Sequence, residues 1–112
     1  MQFSELPLHK SILKAVAEER FHTTTEVQEK AIPLVLDKKN VIVSAQTGTG
    51  KTAAFALPII QLLLEKQDGE KEAKKIKSLI VAPTRELAIQ ILENFTSYSK
   101  HTAIKTTAVF GG

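Results

Sequence analysis

Residues 45–52, AQTGTGKT, combine two glycines with a lysine and a threonine at the spacing of a loop that holds phosphate. An apolar run precedes the stretch and a helical pattern follows it, so its backbone amides would converge beside a helix N-terminus. Gly48 and Gly50 would let the backbone approach phosphate oxygens closely. Lys51 can reach the β- and γ-phosphates, and the Thr52 hydroxyl can bind Mg²⁺. The stretch therefore predicts a nucleotide phosphate site.

The first position of this stretch departs from the strict phosphate-loop pattern, which has glycine where this chain has Ala45. The alternative is an ordinary glycine-rich turn that carries a lysine by chance, but the strand before it and the helix after it favour the phosphate site. Lys51 and Thr52 are the candidate catalytic residues, and Thr52 is the candidate metal ligand. The predicted phosphate-binding residues are Ala45, Gln46, Thr47, Gly48, Thr49, Gly50, Lys51 and Thr52.

A second candidate cluster lies in VAPTRELAIQ, where a predicted strand ends and a helix begins. Pro83 ends the strand ladder, Thr84 can cap the helix, and Arg85 adds a cation to its first turn. In a parallel sheet this cluster and the phosphate loop would share the edge at the strands' carboxyl ends, where such folds bind ligands. The alternative is that Thr84 only caps and that Arg85 pairs with Glu86 or solvent.

Other polar residues support no claim by themselves. A glutamine one turn into a helix, as at Gln28, is commonplace, and Phe3 is most simply a core anchor for the first helix. His9, His22 and His101 show no metal-ligand spacing. The sequence therefore gives little support to a metal site built from protein side chains or to covalent catalysis.

The chemistry-bearing stretches are set between alternating helix and strand patterns. Helical spacing predicts helices at 8–20, 26–36, 51–66 and 85–99, and short apolar runs predict strands at 41–45, 79–82 and 106–110. Thr25 is the expected N-cap of the second helix, and residues 67–75 form a charged surface linker. The order ααβαβαβ predicts an α/β fold with a parallel sheet and right-handed crossovers.

Composition limits the class of protein. The chain has 112 residues, 43% of them hydrophobic and 24% charged, which is typical of one small globular domain. The absence of cysteine excludes disulfides, and no apolar run approaches the roughly 18 residues of a membrane span. A cytoplasmic protein is the default prediction. The net charge of +3 suits a polyanionic partner without identifying one.

Taken together, AQTGTGKT, PTRELA at 83–88 and the terminal pair Gly111 and Gly112 resemble successive motifs of the first RecA-like domain of DEAD-box RNA helicases. RFHTTTEVQ at 20–28 is similar to the Q motif of that family, an adenine-recognition segment. Two positions differ, because Arg20 stands where the family usually has glycine and Thr24 where it usually has proline.

The resemblance implies ATP and Mg²⁺ as cofactors and the RNA backbone as a partner. It implies that Phe3 stacks on adenine, that Gln28 bonds the adenine edge and that Thr25 supports the same loop. Contacts to the RNA sugar-phosphate backbone are implied for Pro83, Thr84, Arg85, Gly111 and Gly112. The expected organisation is an incomplete first RecA-like domain over 1–112, with a Q-motif region at 1–29 and a βαβαβ core at 41–112.

Hydrolysis of a nucleotide needs carboxylates at strand ends to hold Mg²⁺ and to position water. No Asp or Glu directly follows any of the three predicted strands, and the motif that names the family is absent. The prediction is therefore a segment of an ATP-dependent RNA helicase, cut before that motif and inactive alone. The alternatives are a nucleotide- or RNA-binding module without turnover, or another phosphate-loop ATPase.

The resemblance also predicts self-association of this chain. In the RecA-like sheet, strands from later in the chain separate the phosphate-loop strand from the one preceding PTRELA, and this chain lacks them. Unpaired strand edges invite pairing with another copy. A dimer, or an exchange of strands between copies, is favoured over a rearranged three-stranded sheet.

Overall fold

The computed structural model describes residues 1–44, 50–67 and 77–109, and the regular structure in these ranges is helical. A 3₁₀ turn at Phe3–Glu5 precedes four α-helices: α1 (Lys10–Glu18), α2 (Glu26–Leu36), α3 (Lys51–Gln67) and α4 (Arg85–Tyr98). All four predicted helices are confirmed, and α2 has the predicted bounds. The first helix is shorter than predicted at both ends. His9 caps its start, where its ring nitrogen accepts from the Ser11 amide, and the left-handed backbone of Arg20 follows its end.

Helix α3 forms the centre of the core. It packs against α1, α2 and α4, and Ala56, Leu57 and Ile60 on it are fully buried. Alanines on α3 let the neighbouring helices approach closely, while Ile12 of α1 and Ile32 of α2 fill the space between them. None of the helices in the described ranges is long and apolar enough to cross a membrane.

Helices α1 and α2 end in the same way. After α1, the amide of Arg20 donates to Ala17 O and that of Phe21 to Val16 O, and Arg20 has φ +62°. After α2, Lys38 repeats this arrangement with φ +61°. This paired hydrogen-bond pattern is the Schellman motif, whose left-handed residue is usually glycine. The glycine that the family usually has at position 20 thus matches a left-handed backbone, which Arg20 adopts here.

The predicted strands are not formed within the described residues. Residues 41–44, 79–82 and 106–109 belong to no β-ladder there, and a single bridge joins Gln2 to Thr23. Ala45 and Phe110, the predicted ends of two strands, lie outside the described residues. The physical reason is that strand hydrogen bonds require a neighbouring chain segment, whereas helical bonds are internal.

Residues 79–82 and 104–109, which include two of these segments, nevertheless place one face on the helical core. Ile80 and Ile104 pack against the core, and along 102–109 the even-numbered residues are half-buried while the odd-numbered ones are exposed. Leu79, Val81 and Val109 point outward with exposures of 81%, 84% and 93%. A two-residue period of burial is that of a half-covered strand. We call residues 79–82 and 104–109 the one-sided segments.

Candidate nucleotide-binding site

The start of α2 carries the predicted cap. The Thr25 side chain accepts from the Gln28 amide at 3.4 Å, and Gln28 Oε1 accepts from the Thr25 amide at 2.9 Å. This reciprocal pair is a capping box, which satisfies two amides that a helix start leaves without a partner. The predicted N-cap role of Thr25 is confirmed, and the box fixes the side chain of Gln28.

Gln28 also joins α2 to the start of α3. Its side chain is only 4% exposed, and its Nε2 donates to Gly50 O at 3.2 Å. The same oxygen accepts from the Ala54 amide at 3.1 Å, which is the opening bond of α3. Sequence reasoning treated Gln28 and Gly50 separately, and the structure brings them into contact.

The backbone and surroundings of Gly50 favour glycine. Its φ is +78°, and a Cβ placed there would lie 2.2 Å from Gln28 Nε2. The other predicted loop residues, Ala45, Gln46, Thr47, Gly48 and Thr49, lie outside the described residues. Because Gly50 has no side chain, the backbone there can lie against the Gln28 side chain, which a larger residue would prevent.

Lys51 and Thr52 form the first turn of α3, where Lys51 is exposed and Thr52 is half-buried. The first amides of a helix have no intrahelical partner and favour an anion. These residue types fit a nucleotide phosphate with Mg²⁺, since Mg²⁺ keeps water and phosphate oxygens beside few protein ligands. In the described ranges no cluster of three or more His, Cys, Asp or Glu could hold a metal by itself.

Phe3 lies in the core, not on an open surface. Its ring is 4% exposed and stacks on Phe21 at 6.1 Å between centroids, and its amide donates to His22 O at 2.8 Å. Phe21, which also contacts Tyr98, keeps 39% of its surface exposed. Sequence reasoning missed Phe21, although its place within RFHTTTEVQ was a signal. The core-anchor interpretation of Phe3 therefore agrees with its position.

Thr24 secures the segment that leads into α2. Its hydroxyl donates to Glu29 Oε1 at 2.7 Å, and its amide donates to Met1 O at 2.9 Å. The hydrogen bond from Thr24, followed by the N-terminal ammonium 3.0 Å away, lowers the pKa of the Glu29 carboxyl. A proline here would lack the amide that bonds Met1. This network holds the chain just before the cap at Thr25.

The second predicted cluster is present in part. Thr84 caps α4, its side chain accepting from the Leu87 amide at 3.1 Å. Pro83 and Arg85 are exposed beside it, while Gly111 and Gly112 lie outside the described residues. The capping role that the sequence left open for Thr84 is confirmed, and an RNA contact stays a prediction.

A family profile described as DEAD/DEAH box helicase matches residues 25–112 of this chain. The chain belongs to this family. It is 50% identical over 110 residues to the DEAD-box ATP-dependent RNA helicase RhpA of Helicobacter pylori, covering 98% of this chain and 21% of that protein. It is 46% identical over 112 residues to the ATP-dependent RNA helicase CshA of Limosilactobacillus reuteri, covering 100% of this chain and 21% of that protein. The chain thus spans about a fifth of the length of these relatives.

Solved structures agree with this assignment. The chain superposes with a TM-score of 0.86 and 39% identity on a DEAD box protein from Methanococcus jannaschii, covering 100% of this chain and 29% of that one. It superposes with a TM-score of 0.85 and 32% identity on the RNA helicase Prp28 from Chaetomium thermophilum bound to ADP. This match covers 99% of this chain and 27% of that one. The chain therefore has the fold of part of a DEAD-box RecA-like domain, and the parallel sheet that was predicted with it is not confirmed.

Proposed function

We propose that this chain supplies the ATP-binding part, and some of the RNA contacts, of an ATP-dependent RNA helicase. The intact protein would couple ATP hydrolysis to the unwinding or remodelling of RNA duplexes. The bond from Gln28 to Gly50 O carries the proposal, because it joins two predicted nucleotide motifs at the start of α3 in a chain of this family. A relative of similar fold was solved with ADP, which supports an adenine nucleotide.

Within this proposal the nucleotide phosphates lie at the N-terminus of α3. Lys51 binds the β- and γ-phosphates, and Thr52 contributes a ligand to Mg²⁺. Bound Mg²⁺ neutralises charge on the transferred phosphoryl group. Gln28 bonds the adenine edge and Thr25 supports it, while the described position of Phe3 favours a supporting role behind Phe21.

The proposed RNA contacts follow the family resemblance. Pro83, Thr84 and Arg85 would meet the sugar-phosphate backbone together with Gly111 and Gly112. The exposure of Pro83 and Arg85 supports this. The division into 1–29 and 41–112 and the cytoplasmic location stay predictions.

A second candidate function is a nucleotide- or RNA-binding module without turnover. It is supported by the sequence, in which no carboxylate directly follows a predicted strand. The third interpretation, another phosphate-loop ATPase, is disfavoured because the family profile matches and the relatives above are named RNA helicases.

Titration calorimetry of the 112-residue chain with ADP and GDP, each with Mg²⁺, tests the proposed site. We expect weak binding that favours ADP and that Lys51→Ala removes, with Lys100→Ala, at an exposed lysine after α4, as the matched control. Equal affinity for the two nucleotides would remove Gln28 from base recognition. Binding that survives Lys51→Ala would contradict the phosphate site.

A phosphate-release assay separates the two candidate functions. The 112-residue chain alone should show no ATP hydrolysis above buffer, with or without RNA. RNA-stimulated turnover that Lys51→Ala abolishes would refute this expectation. ATPase activity in a longer protein containing this chain, lost in Lys51→Ala, would support the helicase over the module.

We further propose that residues 41–44, 79–82 and 106–109 form the parallel sheet when partner strands are present, and that copies of this chain supply them when it is alone. The outward Leu79, Val81 and Val109 support this, as does a cavity of about 640 Å³ between α2 and residues 41–44. Light scattering coupled to size exclusion should show dimers or larger species at micromolar concentration. A monomer throughout would exclude self-association.

A further inference from the structure

Thr24 and Glu29 make a second contact around the capping box of Thr25 and Gln28. The Thr24 hydroxyl lies 2.7 Å from Glu29 Oε1 and 3.0 Å from Met1 O. It has one proton to donate, and the carboxylate is both the closer and the charged acceptor, which makes the stronger bond. Thr24 is only 8% exposed, so its hydroxyl has little water to bond instead. Residues 24–29 are thus tied together at their two ends, with the capping box between them.

This outer bond limits the movement of the amide that holds Gln28. The backbone amide of Thr24 donates to Met1 O at 2.9 Å, so Thr24 is fixed both at its amide and at its side chain. The Thr24 carbonyl and the Thr25 N–H belong to one planar peptide group. With Thr24 fixed, that group can turn about a single bond, and the hydrogen bond from Thr25 N to Gln28 Oε1 at 2.9 Å removes this freedom.

The orientation of the Gln28 amide decides which base edge it can bind. Its Oε1 accepts from Thr25 N and its Nε2 donates to Gly50 O, which leaves one N–H and one lone pair. Adenine presents an amino donor beside a ring-nitrogen acceptor, and such an amide pairs with both. Guanine presents two acceptors on the same edge, so the fixed amide cannot pair with both. Loss of this orientation would therefore lower the affinity for ADP and leave that for GDP unchanged.

We propose that Thr24 and Glu29 are positioning residues for base recognition, acting through the capping box of Thr25 and Gln28. This role rests on the proposed nucleotide site and adds two residues that are not among the predicted site residues. It requires that the Thr24 hydroxyl affect ADP binding without touching the nucleotide, and that Thr24 and Glu29 act as one unit. A role limited to stability would not distinguish adenine from guanine.

The test is titration calorimetry of the 112-residue chain with ADP, GDP and inorganic tripolyphosphate, each with Mg²⁺. Thr24→Val removes the hydroxyl and keeps the shape of the side chain, and Glu29→Ala removes the acceptor. The double variant shows whether the two residues act together. Thr24→Ser keeps the hydroxyl, and Thr23→Val, at the exposed neighbouring threonine, is the matched control.

We expect Thr24→Val and Glu29→Ala each to weaken ADP binding about fivefold, the effect of one net hydrogen bond. The double variant should lose no more than either single variant, because the same bond is already broken. The affinities for GDP and tripolyphosphate should stay as in the original chain. Thr24→Ser and Thr23→Val should bind ADP like the original chain.

Unchanged ADP binding in Thr24→Val would overturn the positioning role and leave the proposed function standing. Equal weakening of all three ligands would overturn it as well, since that result would show a general loosening of the chain. Additive losses in the double variant would contradict the shared bond. If the original chain binds none of the three ligands, the proposed function itself fails, and the positioning role fails with it.

A second readout requires no ligand. Hydrogen exchange of the Thr25 amide, which is bonded to Gln28, should become about fivefold faster in Thr24→Val and stay unchanged in Thr23→Val. An unchanged rate at Thr25 in Thr24→Val would overturn the inference. Equal acceleration of the buried amide of Phe95 in α4 would overturn it too, because it would report a general loss of stability.

Discussion

The junction of α2 with α3 and the one-sided segments differ in how their polar backbone groups are satisfied. At the junction, Gly50 O receives donors from both helices and Gln28 is bonded at both ends of its amide. In the described ranges, the backbone of 79–82 and of 105–109 makes no hydrogen bond.

This difference shows which parts of the chain satisfy their backbone hydrogen bonds without a partner strand. A helix makes its backbone hydrogen bonds within itself. The hydrogen bond from Gln28 to Gly50 O adds one contact between residues that are distant in the sequence. A strand needs a neighbour for every bond, and an uncovered face leaves its apolar side chains in water. Our central claim is that residues of this chain make the hydrogen bonds at the junction of α2 with α3, whereas the one-sided segments, as proposed above, need partner strands.

The largest expected effect on the free energy of unfolding comes from a comparison of alanine substitutions at two leucines. Leu57 in α3 is fully buried and Leu79 is 81% exposed. Leu57→Ala should lower the free energy of unfolding by about 2–5 kcal/mol, because it leaves a cavity in the core. Leu79→Ala should change it by under about 0.5 kcal/mol. Urea unfolding followed by circular dichroism measures both.

Protein concentration serves as the control for this pair. At concentrations where light scattering finds a monomer, a large loss from Leu79→Ala would mean that 79–82 is covered within one copy. A loss that appears only in associated samples would agree with partner strands.

Gly50→Ala should have the next largest effect. An alanine at φ +78° is strained, and its Cβ would displace the Gln28 amide from both partners. We expect a loss of about 1–3 kcal/mol in the free energy of unfolding. In a Gln28→Ala background the steric part disappears, so the added cost of Gly50→Ala should shrink. Equal costs in both backgrounds would show that the side chain of Gln28 does not abut Gly50.

Replacing the left-handed residues at the ends of α1 and α2 should stabilise the chain modestly. Arg20→Gly and Lys38→Gly each remove a positive-φ strain at a Schellman motif. Greater flexibility of glycine in the unfolded chain offsets part of the gain, which leaves about 0.5–1 kcal/mol. Thermal unfolding checks this. Lys39→Gly, one residue later, should not stabilise, and destabilisation by Arg20→Gly would show that the Arg20 side chain makes a stabilising contact.

The smallest effect concerns the ion pair between the end of α1 and the residues after α4. A hydrogen bond with His101, and then the charges of His101, Lys100 and Lys14, lower the pKa of Glu18 from its ordinary value of 4.5. This stabilisation is therefore present above that value and is lost as pH falls through the lower folded pKa. Glu18→Gln should lower the melting temperature slightly at neutral pH and hardly at all well below about pH 4. Glu93→Gln, exposed on α4, is the control, and a difference that grows in acid would contradict the sign.

Local signals in the sequence predicted all four helices and the caps at Thr25 and Thr84. The spacing in 26–36 and the hydroxyl of Thr25 predicted α2 with its bounds, and Thr84 predicted the start of α4. The shorter α1 was missed because a histidine cap at His9 is not a usual signal.

Contacts between distant residues could not be read from the sequence. Gln28 and Gly50 lie 22 residues apart, and no local pattern reports that pair. Phe3 was predicted as a core anchor, and equally as an adenine contact through the resemblance, because an aromatic side chain suits both. The strand patterns were identified, but whether strands pair depends on segments elsewhere.

Hydrogen exchange of the monomeric chain, read residue by residue, tests the central claim most directly. We predict slow exchange for Ala54 and the buried turns of α3, and for the amide of Thr25 bonded to Gln28. Amides in 79–82 and 105–109 should exchange nearly as fast as in an unfolded chain. Protection of these segments equal to that of α3 in a confirmed monomer would contradict the account.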